Sequence, residues 1–453
     1  MQRACGTGPA RLTHSAVVAD ADRRILHLAL PALGALAAEP LYVLADAAIV
    51  GHIGTVELAG LAVAGGLLSS AFWLLNFLSY ATTARVARLC GWGRRDLADA
   101  LGGQALWLAV ILGVAVGVAL VAAGPWLIRA MGGNGAVGDA AWTYMWISAL
   151  GAPAVLVALS GQGVLRGVQD MRRPLLILTA ANAVNIGLEM LLVFGLGMGI
   201  AGSALSTVIA QWGAAVPFLP SMLPGLGRPR RDGMRELLHL GGHLMVRTGA
   251  LLGAFLLATA LLARVGSASV AAHEIAFRCF ILLALVLDAI AIAAQTLVGT
   301  SLGAGDVADA RDLSRRMVRW GIVAGAVAMA VLALLHARIP LAFTDDPRVL
   351  DEAARMWWVF VLMQPMNAVV FVLDGVLIGA GDTEALMWGM LGSVALGAAV
   401  MAIGVGAGLG IVGVWWGLAA LLVARCATNV GRFRGSSWAI VGAGGVGGNR
   451  VRP

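Results

Sequence analysis

GVLRGVQD at residues 163–170 returns as GVLIGAGD at residues 375–382, a shift of 212 positions in a chain of 453. The same shift carries Gly54 onto Gly266, Val86 onto Val298, Gly91 and Gly93 onto Gly303 and Gly305, Asp139 onto Asp351, and Pro153 onto Pro365. Farther along, GIAG at Gly199 meets GIVG at Gly410, now at a shift of 211. Matches of Ala and Gly come cheaply in this composition. Coincident Pro, Asp and an eight-residue motif do not, so the chain reads as a tandem duplication.

Composition names the solvent. Apolar residues make up 60% of the chain and charged residues 12%, and the mean hydropathy is +0.88. A soluble domain carries about 25% charged and 45–50% apolar residues. This chain has too much apolar surface to turn towards water, which excludes a soluble enzyme, a disordered protein and a nucleic-acid module. Its 61 glycines are about twice the usual share and suit closely packed membrane helices. The four cysteines (Cys5, Cys90, Cys279, Cys426) are scattered, with no CxxC or metal spacing, so no disulfide framework is expected. Residues 1–20 are polar and mixed, without the apolar stretch of a cleavable signal peptide.

A membrane-spanning helix needs about 20 mostly apolar residues. Apolar runs between Gly, Pro and charged breaks give twelve, at 25–50, 58–84, 98–123, 138–165, 174–194, 200–220, 237–263, 268–297, 314–336, 350–378, 386–404 and 410–430. The expected fold is an all-α polytopic membrane protein with twelve transmembrane helices in two six-helix lobes. The expected segments are a tail (1–24), a first lobe (25–220), a linker with Pro224 and Pro229 (221–236), a second lobe (237–430) and a tail (431–453). Six spans per half is an even number, so both halves enter the membrane alike, and a pseudo-two-fold along the membrane normal should relate them. Two like bundles facing a central cavity is transporter architecture, with substrate at the bundle interface. No enzyme activity is expected.

Arginine placement orients the spans. All 31 basic residues are Arg. With the N-terminus cytoplasmic, 24 fall on that side: four in the first tail, four, three, four and four in the successive inner loops, and five at the C-terminal end. Five face outward (Arg129, Arg264, Arg338, Arg348, Arg355), and Arg247 and Arg278 sit inside spans. This bias puts both termini in the cytoplasm. It also makes anionic lipid, not nucleic acid, the partner of the +7 net charge. An all-Arg basic set with abundant Ala and Gly suggests a GC-rich bacterial gene, hence a bacterial cell (inner) membrane. A monomer is expected.

Ionisable residues inside a span cost about 2.5–3.5 kcal/mol or more against lipid, so they face a cavity or a partner. In the second half, Asp288 and Arg247 lie at a similar depth of roughly 13–15 Å, which predicts a structural ion pair. Glu274 and Arg278 are spaced to pair on one helix face. Asp374, five residues before Gly379, is either a wet loop cap or a candidate of the substrate cavity. The first half has Glu39, Asp46 and Glu189 and, by these span limits, no intramembrane Arg. Asp46 and Glu189 lie at nearly equal depth in the outer half. Asn185 is one turn from Glu189, and Thr207 can reach the same level. Glu39 is seven residues from Asp46 on the same side of span 1, beside the kinking Pro40. A carboxylate desolvated without a cation takes up a proton near neutral pH, and with Asn and Thr oxygens it also suits Na⁺.

Other residues carry less. His52, His273 and His336 sit at outer loop ends and are expected to cap or be solvated. His239 and His243 have metal spacing but no evident third ligand, so no metal is expected. GWGRR and GAGD lack the strand and the Lys-Ser/Thr of a phosphate loop and read as turns.

Several stretches together resemble the multidrug and toxic compound extrusion (MATE) family, and within it the DinF-like branch. They are ALPALGALAAEPLYVLADAAIVGHIG, VARLCGWGRRDLADA, VLRGVQDMRRP, NAVNIGLEMLLVFGLGMGIAGSALST, VAAHEIAF, LDAIAIAAQTLVGTSLGAGD and FVLDGVLIGAGDT. The resemblance covers residues 25–430. It implies efflux of small organic compounds in exchange for H⁺ or Na⁺, without a cofactor. It also implies a protonatable cluster at Asp46, Asn185, Glu189 and Thr207, with a polar helix-four residue at Gln162. Glu189 stands where the family usually has Asp, and Gln162 where it often has Asn. Arg247 and LDAIAIA favour the DinF-like branch.

Ion-coupling candidates are thus Asp46, Glu189, Asn185, Thr207, Gln162 and Glu39, and cavity candidates Asp46, Glu189, Gln162 and Asp374. The leading expectation is an antiporter exporting cationic or amphiphilic compounds against H⁺, with Na⁺ coupling or a lipid-linked precursor flippase as alternatives. A flippase would want basic residues in its cavity, and the first lobe offers none by this reading. An intramembrane prenyltransferase would need Asp-rich motifs, and Asp345-Asp346 is the only adjacent acid pair. A receptor or scaffold gains nothing from the duplication.

Overall fold

A computed structural model describes residues 14–442, with side chains from residue 21 onward. The described residues contain helices and turns and no strand. In chain order the helices are α1 (His14–Gly51), α2 (Thr55–Leu75), α3 (Phe77–Gly91), α4 (Arg95–Ala130), α5 (Gly135–Ala149), α6 (Ala152–Gly167), α7 (Arg172–Met190), α8 (Gly199–Ala215), α9 (Arg231–Val265), α10 (Ser267–Gly303), α11 (Val307–Leu334), α12 (Arg338–Leu341), α13 (Pro347–Leu362), α14 (Gln364–Gly379), α15 (Thr383–Gly406) and α16 (Gly410–Arg434). Ten helical segments are long and apolar enough to cross a bilayer, and two bent pairs bring the number to twelve. The bent pairs are α5 with α6, at 51°, and α13 with α14, at 49°. They are the fourth and tenth spans of the sequence.

The duplication is visible in the elements. α4, α5 and α6 are followed 212 residues later by α11, α13 and α14, and α8 is followed 211 residues later by α16. Each bend precedes a proline, Pro153 or Pro365, in the first turn of the second helix, where a missing N–H costs nothing. A glycine packs on each bend. A Cβ on Gly325 of α11 would stand 2.8 Å from the Pro365 Cα and 2.8 Å from the Gln364 carbonyl oxygen. Its counterpart Gly113 on α4 meets Pro153 in the same way.

The repeated octapeptide is a packing surface followed by a stop. Gly163 and Gly167 let α6 lie directly on α3, and a Cβ there would meet the Ser79 carbonyl oxygen at 2.7 Å and the Val86 Cβ at 2.6 Å. Gly375 and Gly379 do the same for α14 on α10. Small residues four apart are the standard means of close helix approach in membranes. Gln169 (φ 65°) and Gly381 (φ 75°) then turn left-handed. The Asp170 and Asp382 amides donate to Leu165 and Leu377 carbonyls, each at 2.9 Å, closing the helix ends.

Two compact units emerge, residues 30–241 and residues 242–442 with 14–29. The first is centred on Val50, Leu68, Tyr144, Met145 and Ala204. The second is centred on Leu262, Ile275, Trp357, Phe360 and Trp415. His273 belongs to the second core, its ring 5.6 Å from that of Trp415, and is not the solvated loop-end residue expected. His52 and His336 are exposed, each bonding a carbonyl of the preceding turn.

The tails are shorter than expected. Residues 14–24 are the start of α1, where Asp22 accepts from Arg316 at 2.5 Å and from Trp320 at 3.0 Å. At the other end Arg432 bonds Asp382 at 2.5 Å, Trp438 is buried, and the Gly442 amide donates to the Leu302 carbonyl. Residues 1–13, with Cys5, and 443–453, with most of the Gly-rich stretch, lie outside the described residues. The linker rests on α4, where Gln104 donates to the Arg228 carbonyl and accepts from the Arg230 amide. α1 continues unbroken through Pro31 and Pro40.

Candidate functional site

Three helices of the first unit each present a polar pair at a spacing of four, which places both members on one helix face. They are Tyr42 and Asp46 on α1, Asn185 and Glu189 on α7, and Ser203 and Thr207 on α8. α1 and α8 meet side chain to side chain. Ser203 donates to Asp46 Oδ1 at 2.7 Å, and the Tyr42 and Thr207 hydroxyls bond at 2.9 Å. From α5, Tyr144 donates to Asp46 Oδ2 at 3.3 Å. Glu189, 0% exposed, lies against Asp46 and Ser203. Neither of its carboxyl oxygens, nor either polar atom of the buried Asn185, has a hydrogen-bond partner among the described residues.

Local structure explains the approach. Directly after Glu189, α7 widens into a π turn over Leu191–Gly195, a feature often found at functional positions. Gly197 and Gly199 turn the chain with positive φ. Gly202 then seats α8 on that turn, since a Cβ there would lie 3.0 Å from the Leu192 carbonyl carbon. Ser203 follows at once, reaches the Asp46 carboxyl and lies against Glu189.

Four expected residues, Asp46, Asn185, Glu189 and Thr207, thus share one buried group. Gln162 does not bond within it. Its side-chain oxygen accepts from Arg166 at 3.0 Å, and Arg166 also reaches Ser79. Glu39 is exposed on the surface of its unit. The first lobe is not free of buried arginine. α3 and α6 run on to Gly91 and Gly167, past the span limits read from sequence, and bury Arg85, Arg88 and Arg166. Arg85 pairs with Glu236. No arginine is among the groups that act on Glu189.

The corresponding positions of the second half are apolar. Asp46, Tyr144, Ser203 and Thr207 fall on Ala258, Met356, Val414 and Leu418, all core residues of the second unit. That unit has a different polar group. Asp374 is buried and pairs with both Arg247 and Arg425, and Asn429 donates to its other oxygen at 2.9 Å. The isolated Arg247–Asp288 pair expected from depth is instead part of a larger cluster, in which Asp288 acts on Arg425. Asp374 is neither a wet cap nor open to a ligand, because its oxygens are occupied. Arg425, which its place near the chain end groups with the cytoplasmic arginines, lies within span 12 and is buried. Asp346, one of the adjacent acids, caps α13 through the Arg348 amide, and the Arg348 guanidinium holds its carboxyl below the usual range.

The MatE family profile matches residues 31–191 and 248–403, which runs from within α1 to the end of α7 and from within α9 to near the end of α15. The chain belongs to the MatE family. It is a membrane transporter of the multidrug and toxin efflux type, and such transporters are not enzymes. Among MatE relatives it is 32% identical over 424 residues to Protein DETOXIFICATION 44, chloroplastic, of Arabidopsis thaliana, covering 90% of this chain and 81% of that one. It is 31% identical over 383 residues to DNA damage-inducible protein F of Escherichia coli, covering 82% and 83%. A crystal structure of a MATE protein in the bent conformation shares the fold with a TM-score of 0.86 at 21% identity, covering 94% and 99% of the two chains.

Proposed function

We propose that this MATE transporter is an antiporter that exports cationic or amphiphilic organic compounds from the cytoplasm across a bacterial cell membrane in exchange for H⁺, with Asp46 and Glu189 as the coupling site. The observation that supports this reading is the pairing of two buried carboxyl groups that form no ion pair with an arginine among the described residues. Two adjoining charges of one sign in a dry site repel, and their burial is costly. The doubly ionised state is the least favourable, and the site responds to the proton supply.

The donors divide the labour. Ser203 and Tyr144 both aim at Asp46 and complement a carboxylate. Among the described residues Glu189 makes no hydrogen bond and is complemented when it carries its own proton. Protonation from the outside neutralises the pair and releases a cationic substrate outward. Return to the inward-open state then delivers the proton to the cytoplasm. Na⁺ is the second reading, favoured by the unpartnered Asn185 beside Glu189, since a hard cation takes oxygen ligands.

In vesicles with an imposed pH gradient, wild-type protein should export a fluorescent organic cation and release protons on substrate addition, with or without Na⁺. Asp46→Asn and Glu189→Gln should remain folded and lose the gradient dependence. Wild-type export rates in either variant defeat the assignment, and a strict Na⁺ requirement transfers it to the second reading.

A further inference from the structure

In the second unit α11 and α16 both pack against α14, and a cavity of about 430 Å³ opens among the three helices. Arg311, Arg315 and Arg319 of α11 and Arg434 of α16 line it. The three α11 residues are spaced by four, so they form one stripe about 12 Å long. The remaining lining is apolar and includes Leu373, Val430 and Phe433.

Neighbouring arginines show that the absence of acids here is local. Arg316, one residue along α11, is held by Asp22 at 2.5 Å. Arg432, two residues before Arg434, is held by Asp382 at 2.5 Å. Among the described residues the cavity arginines are not matched in this way. Arg319 and Arg434 form no ion pair, and Arg315 reaches only the exposed Asp312 at 3.7 Å. Arg311 donates weakly to the Gly435 carbonyl at 3.4 Å, and its Nε is buried without a partner. Arg315, Arg319 and Arg434 are exposed and Arg311 is half-buried. Here they come from two helices around one apolar floor.

We propose that this cavity seats the phosphate of an acidic phospholipid, with the guanidinium groups on the phosphate oxygens and the glycerol and first acyl carbons against Leu373, Val430 and Phe433. Arginine matches phosphate in geometry and charge. Basic pockets between membrane helices at the arginine-rich side are suited to anionic headgroups. A free phosphate would use the arginines equally well but would leave the apolar floor idle, so lipid is the better occupant.

The full-length protein is delipidated in detergent and titrated with phosphatidylglycerol, phosphatidylcholine or inorganic phosphate, read by native mass spectrometry and thermal shift. Phosphatidylglycerol should form a one-to-one adduct and raise the melting temperature, and the other two should do neither. The Arg319→Gln/Arg434→Gln double variant should bind phosphatidylglycerol about tenfold or more weakly. Arg432→Gln, which removes a charge at a site outside the cavity, should bind as wild type. Equal binding of phosphatidylcholine, or wild-type affinity in the double variant, overturns the proposal. An equal effect of inorganic phosphate overturns the lipid as the source. A misfolded double variant is replaced by Arg319→Gln alone, which should weaken binding in the same direction, and unchanged binding there also overturns the proposal.

Discussion

Asp46 and Asp374 are each 5% exposed, yet the groups around them differ in sign. Hydroxyls and a second carboxyl surround Asp46, whereas two guanidinium groups and an amide close on Asp374. The same substitution should therefore have different effects. Asp374→Asn leaves Arg247 and Arg425 facing each other with Asp288 as the remaining counter-charge, and breaking such a buried pair costs about 3–5 kcal/mol. It should lower the melting temperature and the yield of monodisperse protein sharply, while Asp46→Asn should do so little. Comparing the two melts in one detergent checks this. Asp46, Asn185 and Glu189 were legible in the sequence because a charge or amide in an apolar run stands out, and Thr207 by its level and by the MATE resemblance. Ser203, Tyr42 and Tyr144 were not, since hydroxyls occur throughout such helices for local reasons. One signal was available, for the chain has only three tyrosines and two of them join the site. Arg425 escaped because arginines near a chain end were counted by side and not by depth.

At the scale of helices the interfaces rest on missing side chains. Gly325→Ala would push a methyl group against the backbone of Gln364 and Pro365. Neither can yield without moving the start of α14, so a cost of about 1–3 kcal/mol is expected. Thermal unfolding of this variant checks the value, and no loss of stability would mean that the bend relaxes freely. Twelve spans could be counted from hydropathy because bilayer thickness fixes their length. The bends in the fourth and tenth spans could not. Pro153 and Pro365 were visible as repeat markers, but a proline in a first turn is compatible with a straight start or a corner. Which of these forms depends on what packs behind it, here Gly113 and Gly325. Pro40 makes the same point in reverse, because α1 passes through it as one helix.

For the chain as a whole, the arginine bias predicts that both ends lie in the cytoplasm. A green fluorescent protein fused after Pro453 should therefore fluoresce, whereas alkaline phosphatase at the same place should be inactive, and the opposite result would invert the orientation. The duplication was the most legible feature of the sequence, because turn glycines, prolines and the octapeptide serve the backbone and both halves need them. What the halves do with their interiors was less legible, since the first-half polar group faces apolar residues in its counterpart, while Asp374 of the second half falls on the polar Gln162. Ala258, Met356, Val414 and Leu418 occupy the places of the first-half polar group. Copying the gene segment thus doubled the scaffold without doubling the buried carboxyl pair. On the proposed coupling, one half alone would set how many ions are traded per cargo molecule, and a tandem of two first halves would be the direct way to change that ratio.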